Sequence, residues 1–148
     1  MLPIVKKVGA LLWNSNNEVL IFLEKNHQGE LKYNIPKGTY DPNLDDTLSA
    51  TLYREIKEET GLEISAPFTA LDIFPKYYDD HISLLILFET TIERYEHATN
   101  QHTMRDEHIS DYRWVSQESF LRMPVWVFMD VRMYTILQKY LNNRTWNA

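Results

Sequence analysis

The 148 residues are 44% hydrophobic and 24% charged, enough apolar material for one domain over 1–148 with its own core. With no cysteine, disulfides, thiolate catalysis and cysteine zinc sites are excluded. The formal charge of −6 argues against a general nucleic-acid-binding surface, although an acidic protein still binds polyphosphates where metal ions carry the positive charge. The longest apolar run, residues 82–88, is too short for a membrane span. The opening MLPIVKKVG lacks a signal-peptide architecture, so a cytoplasmic protein is expected.

In chain order, residues 5–13 read as a strand, 14–17 as a turn and 18–25 as a second strand buried on both faces around VLIFL. A turn at 26–30 leads into a short strand at 31–35, followed by Pro36-Lys37-Gly38. Those three residues combine a rigid φ, a mobile cation and a permissive backbone position, and alone they would read as a strand-ending turn. After a helix ending near Leu62, residues 68–77 read as a strand broken by Pro75, and 82–91 as a buried central strand. Residues 93–110 are polar and too long for a tight connection, so they are functional or mobile. A short strand at 112–115 precedes Ser116, which reads as the N-cap of a helix through Leu121. Pro124 then opens a final helix to about Leu141. Phe74, Trp126 and Phe128 read as core. Strands interleaved with two substantial helices give a mixed sheet between helical layers, an α/β class.

The informative stretch is DTLSATLYREIKEETGL, residues 46–62. Leu48, Leu52 and Ile56 form one apolar stripe, and Gly61 before Leu62 reads as the glycine that ends the helix. Glu55, Glu58 and Glu59 are spaced i,i+3 and i,i+4, so they share a face that borders the apolar stripe. Like charges at those spacings repel, and the helix dipole disfavours anions in the last turns. Arg54 cannot neutralise three carboxylates. A hard divalent cation such as Mg²⁺ can.

REIKEETGL, residues 54–62, resembles the REUxEExGU core of the Nudix box, where U is aliphatic. The family pattern is Gx5Ex7REUxEExGU. Counting back from Arg54 places Asp46 where the pattern has Glu and Tyr40 where it has Gly. Gly38 comes two residues early, so the loop before the helix carries a two-residue insertion. The Pro36-Lys37-Gly38 run resembles the PKG of diadenosine-polyphosphate and diphosphoinositol-polyphosphate hydrolases in the same superfamily, and residues 112–116 resemble its late RWV step.

The resemblance implies a Nudix-type α/β/α sandwich with a mixed β-sheet. It implies Mg²⁺- or Mn²⁺-dependent hydrolysis of a nucleoside diphosphate linked to another moiety. Glu58 and Glu59 would be the metal ligands. Glu55 would be a ligand, the base, or both in turn. Arg54 would hold an acid in place, Lys37 would contact phosphate, and the Gly38 carbonyl would ligate metal. Asp46 would be a distant ligand or only a helix N-terminal residue. In several members a Glu from a later loop is the general base; Glu107 is the candidate here, with a solvated loop acid as its other reading, ahead of Asp106 and Glu89. Tyr77 and Tyr78 are candidates to stack a nucleobase. The five histidines form no HExxH pattern, so no zinc site is expected.

The expected substrate is a small-molecule dinucleoside polyphosphate or NTP-like nucleotide, handled by a monomer or homodimer with no stable nucleic-acid partner. The rivals are an ADP-ribose or nucleotide-sugar pyrophosphatase and a catalytically weak nucleotide-binding or sensor module.

Overall fold

β1 (Ile4–Trp13) is the axis of the fold in a computed structural model. The structure describes residues 1–62, 64, 66–92 and 109–146, with the side chains of 109–110 and 144–146 excepted. Beside β1, in parallel and in register from Ile4↔Ile82 to Trp13↔Thr91, runs β6 (Ile82–Thr91). β5 (Thr69–Tyr77) closes that edge antiparallel to β6. On the other side, β2 (Val19–Lys25) joins β1 through the Trp13↔Val19 pair and is antiparallel to β3 (Leu31–Asn34) and to β7 (Ile109–Val115). β4 (Lys37–Thr39) pairs antiparallel with β1. The result is one mixed seven-stranded sheet.

Period-two alternation along β1 divides the core between the two faces. Val8, Ala10 and Leu12 face one way and pack with Leu52 and Ile56 of α1 (Leu48–Thr60). Leu11 and Trp13 face the other way and pack with Met133, Ile136, Leu137 and Leu141 of α3 (Val131–Trp146). The sheet therefore lies between helical layers, as the strand and helix order implies. Among the described residues, no helix is long and apolar enough to cross a membrane.

The local signals behave as physics requires. Thr47 Oγ1 accepts the Ala50 N–H at 3.1 Å and starts α1. Gly61 ends it at φ 77°, its N–H donated to the Lys57 carbonyl at 2.9 Å. Ser116 caps α2 (Gln117–Leu121) by accepting from the Ser119 N–H.

Three expectations change. Residues 37–39 are a strand on β1, because the chain leaving β3 is drawn back to the sheet: Gly9↔Lys37 and Lys7↔Thr39 are paired. Pro75 does not break β5. It pairs opposite Leu84 on the edge strand, the position in a sheet that tolerates a residue with no N–H to donate. The last helix begins at Val131, not at Pro124. Val125–Val127 form one 3₁₀ turn, then Phe128 extends into a parallel bridge with Tyr33, and the Met129 N–H donates to the Tyr33 carbonyl at 2.8 Å. Asp130 Oδ1 then accepts the Met133 N–H at 3.0 Å, which restarts the helix.

The same detour divides two aromatics assigned to the core. Phe128 is 3% exposed and packs near Tyr33, Phe120 and Tyr134. Trp126 is 71% exposed, and its ordered contact is its backbone carbonyl, which accepts from Lys32 Nζ. Phe128→Ala should destabilise the protein by roughly 3–5 kcal/mol through the cavity it leaves. Trp126→Ala should stay within about 0.5 kcal/mol. Urea unfolding of the two variants checks this, with equal losses refuting the division.

Candidate active site

α1 lies across β1 and β4, and its Leu52 and Ile56 contacts with the sheet fix its rotation. That rotation sets the exposure of the acidic face. Glu59 is buried at 8% exposure, the Glu55 side chain is 23% exposed and that of Glu58 is 52% exposed. The three acids thus form a ramp from the interior to the surface.

Arg54 anchors the ramp. Its Nε and Nη2 donate to Asp45 Oδ1 and Oδ2 at 3.1 and 2.9 Å, a two-pronged pair. Its Nη1 donates to Glu55 Oε1 at 3.0 Å and lies 3.8 Å from Glu58 Oε2. Asp45 is enclosed, its side chain 3% exposed, and Thr51 Oγ1 donates to it at 2.8 Å. Bonded by Arg54, and despite desolvation acting the other way, the Asp45 carboxyl falls from an ordinary 3.8 to about 2. The Arg54 guanidinium rises further above its usual value for the same reason. Burial dominates at Glu55 and raises its carboxyl above the ordinary glutamate value, with Glu58 adding to the rise and Arg54 opposing it.

Asp45 is the residue that counting along the chain misses. Asp46, one position later, is exposed. The loop insertion is split, one extra residue on each side of Asp45, so the acid facing Arg54 is nine residues before it rather than eight. The clue is the Asp45-Asp46 doublet, which makes the register ambiguous by one.

Gly38 abuts the same ramp. A Cβ there would lie 2.6 Å from Glu55 Cγ, so only glycine lets β4 approach this closely. Lys37 points the other way, because adjacent strand residues alternate faces. It pairs with Gly9, whose own Cβ position meets Ile35 and Leu85 of the α3-side core. Burial and then the charge of Lys7 hold its ammonium below the ordinary lysine value. The carboxylates and Lys37 therefore occupy opposite faces and meet only over β4. Among the described residues, β4 pairs with β1 alone.

Other candidates are dispersed. Tyr77 and Tyr78 lie at the β5–β6 turn, about 20 Å from Lys37 by strand spacing and register. Tyr78 stacks on His81 with centroids 4.5 Å apart, while Lys76 Nζ lies 5.3 Å from its ring centroid. Glu89 is on the α3 face, accepting from Trp13 Nε1 at 2.9 Å. Glu107 and Asp106 lie outside the described residues. A cleft of about 470 Å³ that the sequence did not suggest lies between β3, β7 and α2, lined by Tyr33, Arg113, Trp114, Arg122, Met123 and Val127. Arg113 lies 5.8 Å from the Tyr33 ring centroid, a cation–π contact.

Among the described residues, no three acids or histidines close around a common point as a finished ion cage. The donor set nonetheless fits a hard divalent cation: three carboxylates on one helix face, one of them buried, with a glycine backbone in contact. Arg54 offsets part of the repulsion between Glu55 and Glu58, and a divalent cation would offset it further.

The fold and site thus present a run of glutamates on one face of a helix packed over a mixed sheet. The NUDIX domain family model matches residues 3–134, and the chain belongs to that family. It is a Nudix pyrophosphohydrolase by that membership, and Nudix hydrolases generally use divalent metals. The fold is similar to a NUDIX hydrolase from Nitrosomonas europaea (18% identity, TM-score 0.75, covering 96% of this chain and 90% of that one). It is also similar to the NUDIX domain of Shewanella oneidensis NrtR complexed with ADP ribose (16%, 0.72, 97% and 90%). A third likeness is to a C. elegans Ap4A hydrolase in a binary complex (15%, 0.64, 92% and 94%). No curated protein matches the chain.

Two expectations arise from the geometry. Gly38→Ala should push Glu55 aside by about 1 Å and lower kcat roughly a hundredfold, with little change in Tm. Unchanged kcat would show that Glu55 need not sit where it does. The second concerns acid stability. Because its folded pKa is depressed, Asp45 stabilises the fold above its ordinary 3.8, and that contribution is lost as the pH falls through about 2. The Tm advantage of wild type over Asp45→Asn should therefore be constant above about pH 4 and shrink toward pH 2. An advantage that does not shrink would contradict the pairing.

Proposed function

We propose that the protein is a Mg²⁺- or Mn²⁺-dependent hydrolase of a nucleoside diphosphate linked to another moiety, with dinucleoside polyphosphates or NTP-like nucleotides preferred. The supporting observation is the ramp Glu55, Glu58 and Glu59, braced by Arg54 and Asp45 and abutted by Gly38. Glu58 and Glu59 would hold the cation with the Gly38 carbonyl. The cation supplies Lewis acidity to the phosphate oxygens and to water. Arg54 would orient Glu55, whose carboxylate would take a proton from the attacking water. Glu107 is the alternative base.

The preference for a long polyphosphate rests on the division of charge between the two faces. A substrate reaching both the carboxylates and Lys37 must span the edge of β4, which a chain of phosphates can do. Tyr33, four residues before Lys37 in the chain and lining the cleft beside Arg113, would offer an aromatic ring to a base at the far end. The proposed setting is the cytoplasm, with a small-molecule substrate and a monomer or homodimer.

A panel of diadenosine tetraphosphate, ADP-ribose, a nucleotide sugar, dNTPs and 5′-triphosphate RNA, with and without Mg²⁺ and with products identified, tests the reading. Metal-dependent cleavage of the tetraphosphate or a dNTP is expected; silence across the panel from folded protein would favour a binding module. Glu58→Gln should cut turnover on the order of a thousandfold, about 4 kcal/mol of barrier. It should not lower Tm, since it relieves like-charge repulsion at a half-exposed position. Near-wild-type activity in that variant would remove Glu58 from the metal set.

A further inference from the structure

Arg132 is the least satisfied cation in the described structure. Its Nε and Nη1 are enclosed, and neither has a hydrogen-bond acceptor among the described residues. Its Nη2 comes no nearer than 3.8 Å to Asp130 Oδ2, while Asp130 Oδ1 is engaged in capping α3. A guanidinium left in this state is unfavourable unless an anion joins it.

Its surroundings supply further positive charge. Arg132 stands in the first turn of α3, on the face of the sheet that carries Lys37. Lys7 is on that face too: Gly9↔Lys37 and Lys7↔Thr39 are successive same-face pairs, so Lys7 and Lys37 are diagonal neighbours. Among the charged neighbours that act most strongly on Lys37 are Lys7, Glu24, Asp130 and Arg132. Lys7 and Arg132 thus stand near Lys37 together with two acids, Glu24 and Asp130, and Asp130 also caps the helix.

We infer that Lys7, Lys37 and Arg132 form an anion subsite on the α3 face, which takes the phosphate groups of the substrate beyond the scissile bond. The inference rests on the hydrolase reading and deepens it. The carboxylate ramp works on one face of β4, and the chain of phosphates continues over its edge to the other. Phosphate oxygens match the planar fork of Arg132 in a way a sugar hydroxyl does not. The Arg132 side chain is 20% exposed, so the ligand would have to draw the fork outward from its enclosed position. Substrates with three or more phosphates are then favoured over those with two.

The test is calorimetric binding of inorganic tripolyphosphate and pyrophosphate to the full chain in metal-free buffer. Wild type should bind tripolyphosphate more tightly than pyrophosphate. Arg132→Gln and Lys7→Gln should each weaken tripolyphosphate binding about tenfold, the scale of one charge-assisted contact. Arg132→Lys, which keeps the charge but loses the fork, should recover only part of it. Wild-type affinity in a folded Arg132→Gln, or in Lys7→Gln if the former does not fold, overturns the subsite. So does an absence of tripolyphosphate binding by wild type. Glu58→Gln separates the two levels. If it binds tripolyphosphate normally while wild type hydrolyses nothing, the subsite stands and the hydrolase reading falls. If it loses turnover and wild type ignores tripolyphosphate, the hydrolase stands and the subsite falls.

Discussion

The Arg54 guanidinium is the constraint on which the site depends. It spends two nitrogens on Asp45 and one on Glu55, joining the loop before α1 to the acidic face of the helix. Without it, three carboxylates in the last turns of a helix would repel each other and the helix dipole. The loop that carries Asp45 would also lose its inner anchor, because Thr51 contributes only one neutral donor. Arg54 does not remove the negative charge of the ramp. It sets how much remains for a cation and where Glu55 points.

The sheet gives that arrangement a second side. Strand alternation sends Gly38 toward Glu55 and Lys37 toward α3, so one short strand divides the acidic chemistry from the basic surface. A substrate that uses both must be long and flexible between its charged groups, as a phosphate chain is. Tyr77 and Tyr78 stand apart at the β5–β6 turn, with Tyr78 occupied by His81.

Much of this was legible in the chain. The stripe of Leu48, Leu52 and Ile56, the ending at Gly61 and the spacing of Glu55, Glu58 and Glu59 are local properties of one helix, and they survive folding because α1 packs as its periodicity demands. The cap at Ser116 is equally local, made within three residues, whereas that of α1 falls on Thr47 rather than on Asp46. The strand at 37–39 and the interruption at Phe128 were not legible. Each is made by a partner distant in sequence, β1 for one and Tyr33 for the other. Pro75 misled for a related reason: whether a missing N–H matters depends on whether its strand is central or at an edge.

The sequence by itself determined the family, through the REIKEETGL string, and the acidic face of its helix, because that face follows from spacing on a single element. Only the tertiary structure decided that Asp45 rather than Asp46 meets Arg54, and that Lys37 and the carboxylates take opposite faces. It likewise brought Arg132 to the basic side. Those facts depend on loop register, strand parity and the point where α3 restarts, which are settled by contacts between segments far apart in the chain.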